Sequence, residues 1–195
     1  LPVKTPRIRD LAFTAVDRTL WGIEISDGIA YLVRVPYPYD DWYRVRTFPY
    51  EAVPYDLDVS PDGKFLSASM SEASSDQFVR VWRIDRLLKG DVTPMSEFKF
   101  GQSIPESFAF SKDGGLLAWT IDAQDRIGNG VQLRDMARGT VAVLDNGNAS
   151  YERLVWTEKG DGLSVLKGTD DRALRDKRYV ILGFTGFSAG SPQKT

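Results

Sequence analysis

The segment Gly186-Phe187-Ser188-Ala189-Gly190 spells G-x-S-x-G, the pattern of a serine nucleophile on a sharp turn from strand to helix. Such a serine attacks only when a neighbouring base takes its proton, and histidine is the usual base. The sequence holds no histidine and no cysteine, and only five residues follow Gly190. Ser188 therefore lacks both its base and its helix, and the segment reads as the start of a polar tail over 188–195. Without cysteine there are no thiol nucleophiles, disulfides or zinc knuckles. No catalytic residue, metal ligand or cofactor site is assigned.

Other groups carry weaker chemistry. Asp122 to Gly130 gathers oxygen-bearing side chains at close spacing, as calcium prefers, but lacks the acidic residue that ends an EF-hand loop. A polar hairpin is expected there. Asn148-Ala149-Ser150 fits a glycosylation acceptor, a motif frequent by chance. Tyr37, Tyr39, Trp42, Tyr43 and Tyr50 cluster closely enough to form an exposed binding platform, or else to pack an outer sheet edge. The 25 basic and 27 acidic residues nearly cancel, and the longest basic-leaning stretch, Arg172 to Arg178, is broken by Asp176. This gives no footprint for nucleic acid. No apolar run reaches the ~18 residues of a membrane-spanning helix.

The elements that position these groups follow from repetition. A cassette with apolar residues at alternate positions and a closing hydroxyl recurs four times. It reads Leu11-Ala12-Phe13-Thr14, Leu57-Asp58-Val59-Ser60, Phe108-Ala109-Phe110-Ser111 and Leu154-Val155-Trp156-Thr157, with the hydroxyls 46, 51 and 46 residues apart. Alternation is strand periodicity. A tight turn follows each cassette, built on Asp62-Gly63, Asp113-Gly114, Gly160-Asp161-Gly162 and, in the first, Val16-Asp17-Arg18. Second and third strands follow in every repeat, and a fourth in the first three. Four antiparallel strands per repeat predict an all-β chain, a β-propeller of about four blades over 6–50, 51–101, 102–147 and 148–187. A β-sandwich of sixteen short strands is the alternative, but it gives no reason for the repeat. Asp85 to Lys89 and Asp171 to Lys177 are expected as helical turns decorating loops.

In a propeller the innermost strands line the central channel, and their entry residues surround one mouth. Counting back from the first apolar position of each cassette gives Arg9 and Asp10, Tyr55 and Asp56, Glu106 and Ser107, Glu152 and Arg153. Arg9, Asp10, Tyr55, Asp56, Glu106, Glu152 and Arg153 are the candidate binding set, suited to a cation or a basic peptide. The inner-strand residues Leu11, Phe13, Leu57, Val59, Phe108, Phe110, Leu154 and Trp156 are expected to be buried between blades. The fourth repeat shows no outer strand. Leu1 to Thr5 alternates and is expected to fill that place, either within one chain or between two. The second option predicts a homodimer forming one eight-blade ring. Protein or peptide partners are expected.

Val59-Ser60-Pro61-Asp62-Gly63-Lys64-Phe65-Leu66 resembles the repeat of TolB-type bacterial propellers, and Val79-Arg80-Val81-Trp82 resembles the third strand of WD40-like repeats. Val131 to Gly139 and Tyr151 to Thr157 are similar to the N-terminal propeller of bacterial prolyl-oligopeptidase-like proteins. The two resemblances meet near Ser111 to Gly115, the pattern that a recombined or engineered chain would show. They imply a propeller and, for function, a binding module or scaffold. The alternative is the detached, substrate-gating propeller of a peptidase whose hydrolase domain lies elsewhere. They also favour a periplasmic or extracytoplasmic location.

Overall fold

The computed structural model describes residues 7–48, 52–122, 130–147, 149–168, 179–190 and 192–195. Four four-stranded antiparallel sheets follow one another along the chain, each an up-and-down meander. Blade one contains β1 (Ile8–Thr14), β2 (Thr19–Ser26), β3 (Ile29–Val35) and β4 (Tyr43–Thr47). Blade two contains β5 (Ala52–Val59), β6 (Phe65–Glu72), β7 (Gln77–Arg83) and β8 (Ser96–Gly101), with a one-turn helix α1 (Ile84–Leu87) before β8. Blade three contains β9 (Ile104–Phe110), β10 (Leu116–Asp122), β11 (Val131–Asp135) and β12 (Val141–Asp145). Blade four contains β13 (Tyr151–Trp156), β14 (Gly162–Gly168), β15 (Tyr179–Thr185) and β16 (Gln193–Lys194). The fold is a β-propeller, and the chain divides into two compact units, Leu1–Gly101 and Gln102–Thr195.

The recurring hydroxyl has a structural cause. In blade two the Ser60 amide donates to the Phe65 carbonyl, while Ser60 Oγ accepts the Phe65 amide at 2.9 Å and donates to Asp62 at 2.7 Å. Gly63 completes the turn at φ 73°, where a side chain would be strained. Ser111 and Asp113 repeat the arrangement, with Ser111 Oγ accepting the Leu116 amide at 2.9 Å. Thr157 Oγ1 accepts the Gly162 amide at 3.1 Å. Thr14 varies it: its hydroxyl donates to the Thr19 carbonyl and accepts from Trp21 Nε1 at 3.0 Å. The hydroxyl is thus the pin of each inner hairpin.

Each unit has its own core between two blades. In the first, Trp21, Ile23 and Leu32 pack against Leu57, Val59, Leu66, Met70, Phe78 and Trp82. Ala12, partly buried, is the small residue of β1 that makes room for them. In the second unit Ala118, Val131 and Leu133 meet Tyr151, Leu154, Leu163, Val165 and Phe184, with Ala109 in the place of Ala12. Trp156 Nε1 donates to the Ala109 carbonyl at 3.0 Å.

Two expectations need correction. Leu57, Val59, Phe110 and Leu154 are buried, and Phe108 and Trp156 half-buried, but Leu11 and Phe13 are exposed. These two occupy the face of β1 opposite its core. The outer place of blade four is also not vacant. β16, from the polar segment read as a tail, pairs there at Phe184↔Lys194 and Thr185↔Gln193. A two-residue edge strand has no alternation to detect, which is why it is invisible in sequence. Leu1 to Thr5, the expected closing strand, lies outside the described residues. So do Tyr50, Asn148, the 171–177 insert and most of the 122–130 hairpin.

Candidate functional site

Four of the seven residues expected at the channel mouth share a structural feature. β1, β5, β9 and β13 each carry a bulge in their pairing with the next strand, at Arg9, Tyr55, Glu106 and Arg153. A bulge takes one residue out of the ladder and bends the strand, and bulges collect at barrel rims and next to sites. Arg153 adopts φ 44°, and Arg9, Glu106 and Arg153 are exposed. Four of the seven residues, Arg9, Asp10, Tyr55 and Asp56, belong to the first unit. Glu106, Glu152 and Arg153 belong to the second.

Within each unit a polar residue of one inner strand latches onto the next. Asp10 Oδ2 accepts the Leu57 amide at 2.7 Å, and Ser107 Oγ accepts the Leu154 amide at 3.2 Å. The structure therefore brings Asp10 and Asp56 side by side. Burial pushes the Asp56 carboxyl above the usual range. The Asp10 carboxylate adds to this, by repulsion and by accepting the proton that Asp56 keeps. Glu152 Oε1 accepts from Tyr179 Oη at 3.1 Å. Among the described residues no group of three or more acidic side chains gathers as a metal site. Asp10 and Asp56 act on each other and on the backbone.

A second candidate lies on the β3–β4 connection of the first unit. Tyr37 and Tyr43 are exposed, and Tyr37 and Tyr39 meet edge to face with centroids 5.6 Å apart. The Arg18 guanidinium stands 5.2 Å from the Tyr37 ring centre, and that of Arg34 stands 5.8 Å from Tyr43. Trp42 is half-buried alongside. The sequence found the aromatics; it missed the arginines, which reach them from β3 and the β1–β2 turn. A cation–π contact is worth about 0.5–1 kcal/mol in an exposed setting.

The third candidate is the G-x-S-x-G segment. Phe187–Ala189 forms one 3-10 turn between Gly186 and Gly190, with no following helix among the described residues. Ser188 Oγ donates to the Asp161 carboxylate, and the Ser188 amide donates to the same oxygen at 2.8 Å. These bonds hold the Asp161 pKa below the usual range. Ser188 and Phe187 line a cleft of about 730 Å³ with Lys112, Asp113, Asp135 and Lys159. Asp113 and Asp135 are engaged in turns, and Lys112 Nζ donates to the Glu158 carbonyl at 3.3 Å.

No protein-family model matches the sequence, and no curated protein does. Solved structures share the fold at low identity. The hydrazine synthase of Kuenenia stuttgartiensis superposes with a TM-score of 0.66 at 17% identity, over 96% of this chain and 53% of that one. TolB from Acinetobacter baumannii gives 0.65 at 14%, over 97% and 43%. An oligogalacturonate lyase, solved in complex with manganese, gives 0.64 at 14%, over 93% and 51%. This chain spans about half the length of these structures. At such identities the likeness shows a TolB-like β-propeller fold and nothing of substrate or partner.

Proposed function

We propose that this propeller is a non-catalytic binding module that holds an extended peptide or a protein segment on the platform of Tyr37, Tyr39 and Tyr43. The observation that carries this reading is the exposure of Tyr37 and Tyr43 beside Arg18 and Arg34. Tyrosine and arginine dominate the energetics of protein interfaces, because they bring large, amphipathic contact area at modest entropic cost.

The test is a selection of displayed random peptides on the immobilised chain, repeated on the double variant Tyr37→Ser, Tyr43→Ser. Selected peptides should bind the parent and lose at least tenfold in affinity for the variant, about 1.4 kcal/mol. Equal binding to both, or no selected peptide, overturns the platform.

The same proposal holds that the chain does no catalysis. Ser188 donates to Asp161, a carboxylate made less basic by that contact, and a weak base does not take a serine proton. Covalent labelling of Ser188 by a fluorophosphonate would overturn this. Self-association into a homodimer completes the proposal.

A further inference from the structure

The outermost strand of each blade presents an edge, and the four edges differ. An unpaired edge invites another strand, and proteins blunt it with charge or brevity. β4 carries Arg44 and Arg46, β8 carries Glu97 and Lys99, and β16 has two residues, one of them Lys194. β12 is the exception. Thr140-Val141-Ala142-Val143-Leu144 holds no charge and no proline, and Val141 and Val143 are each 48% exposed. Asp145, at the end of the strand, is turned inward on Tyr151, Lys167 and Lys194. Among the described residues no strand pairs with the outer edge of β12.

The backbone shows what that edge offers. The Asp135 amide donates to the Thr140 carbonyl at 3.0 Å, and from there antiparallel pairs alternate between hydrogen-bonded and non-hydrogen-bonded. Leu133↔Ala142 is then a hydrogen-bonded pair, while Arg134↔Val141 and Gln132↔Val143 are not. The N–H and C=O groups of Val141 and Val143 therefore point away from β11, towards the free edge. A bulge at Leu144 ends the regular ladder just beyond them.

We propose that β12 pairs antiparallel with β12 of a second copy of this chain, about a twofold axis at Ala142. This rests on the self-association proposed above and gives it a surface. With the axis there, Val141 of each copy stands opposite Val143 of the other, and each such pair exchanges two hydrogen bonds. Every outward amide and carbonyl of the two valines then finds a partner. The edge is complementary to itself, as a twofold contact requires. Ala142 faces its own mate in a non-hydrogen-bonded pair, where side chains approach most closely, and it is the smallest side chain of the strand. Valine meets valine on one face, a favourable cross-strand match. A segment of another protein would need this same short, uncharged, β-branched pattern, which a second copy already has. A further blade does not compete for the place, because blades repeat radially, face against face, and not on outer edges.

The experiment combines light scattering with cross-linking. Over a hundredfold range of concentration the parent should rise from 21.8 kDa to twice that mass. Val143→Lys puts a charge on the exposed edge; it should keep its β-type circular dichroism and stay at the single mass throughout. The chain has no cysteine, so one introduced thiol reports the register. In Ala142→Cys the axis sets the two Cα atoms about 4.5 Å apart, inside the range of a disulfide. In Val141→Cys the equivalent atoms stand about 9 Å apart, beyond it. Mild oxidation should therefore cross-link Ala142→Cys at least tenfold faster than Val141→Cys. A parent that stays at the single mass overturns self-association itself, and this contact with it. A parent dimer that Val143→Lys preserves, or equal cross-linking of the two thiols, overturns the strand pairing while leaving self-association standing.

Discussion

Asp145 joins three segments through one carboxylate. It accepts from Tyr151 Oη at 2.6 Å, Lys167 Nζ at 3.1 Å and Lys194 Nζ at 2.7 Å. Burial alone would raise its pKa, but these three donors outweigh burial and hold it at about 2 against an ordinary 3.8. The folded state therefore binds fewer protons than the unfolded one between these values. The resulting stability is complete above the unfolded pKa and drains away as pH falls from near 4 towards 2. Urea unfolding at pH 5 and at pH 2.5 should show the parent losing about 1–2 kcal/mol more than Asp145→Asn over that interval. Asp56 works in the opposite sense. Its folded pKa is raised, so the folded state holds more protons and stability falls as pH rises from the unfolded value through the folded one. Asp56→Asn keeps a donor to Asp10 and never ionises. It should stabilise the chain at pH 7 and do little at pH 3, and an equal effect at both would show that the pair is not proton-linked.

At the level of elements, the inner hairpins depend on a hydroxyl that is buried at Ser60 and Ser111 and accepts an amide of the returning strand. Ser60→Ala leaves that amide unanswered and should cost about 1–3 kcal/mol in denaturant unfolding. Phe110→Ala, which empties a buried site at the end of β9, should cost about 3–5 kcal/mol. The edge of blade four depends instead on β16, which pairs with only two residues of β15 and is tied down by Lys194 to Asp145. Deleting residues 192–195 should open that edge and lower the melting temperature, at about 2–4 °C for each kcal/mol lost. An unchanged melt would mean that β16 covers the edge without stabilising it.

At the scale of the whole molecule, the proposed homodimer would make stability a function of concentration. If copies close on one another, the folded state is linked to association by mass action, and the melting temperature rises with chain concentration. Calorimetry of the parent at about 5 and 500 µM should show that rise, and a melting temperature independent of concentration would overturn the homodimer.

The number of blades, every strand but β16 and the hydroxyl turn were legible in the residues, because alternation and turn chemistry act over a few positions and recur at a fixed period. The inner-strand entry residues were located for the same reason, as offsets from a repeating cassette, but that four of them are bulged was not legible. What they do was not legible either. Asp10 meets Asp56 only because two inner strands lie side by side, and 46 residues separate them in the chain. Asp145, Tyr151, Lys167 and Lys194 share no local pattern, so their convergence belongs to tertiary structure alone. Leu11 and Leu57 read alike in sequence, yet one is half exposed and the other buried. Periodicity states which face of a strand is apolar; whether another sheet covers that face depends on the order of blades in space, which no single cassette encodes.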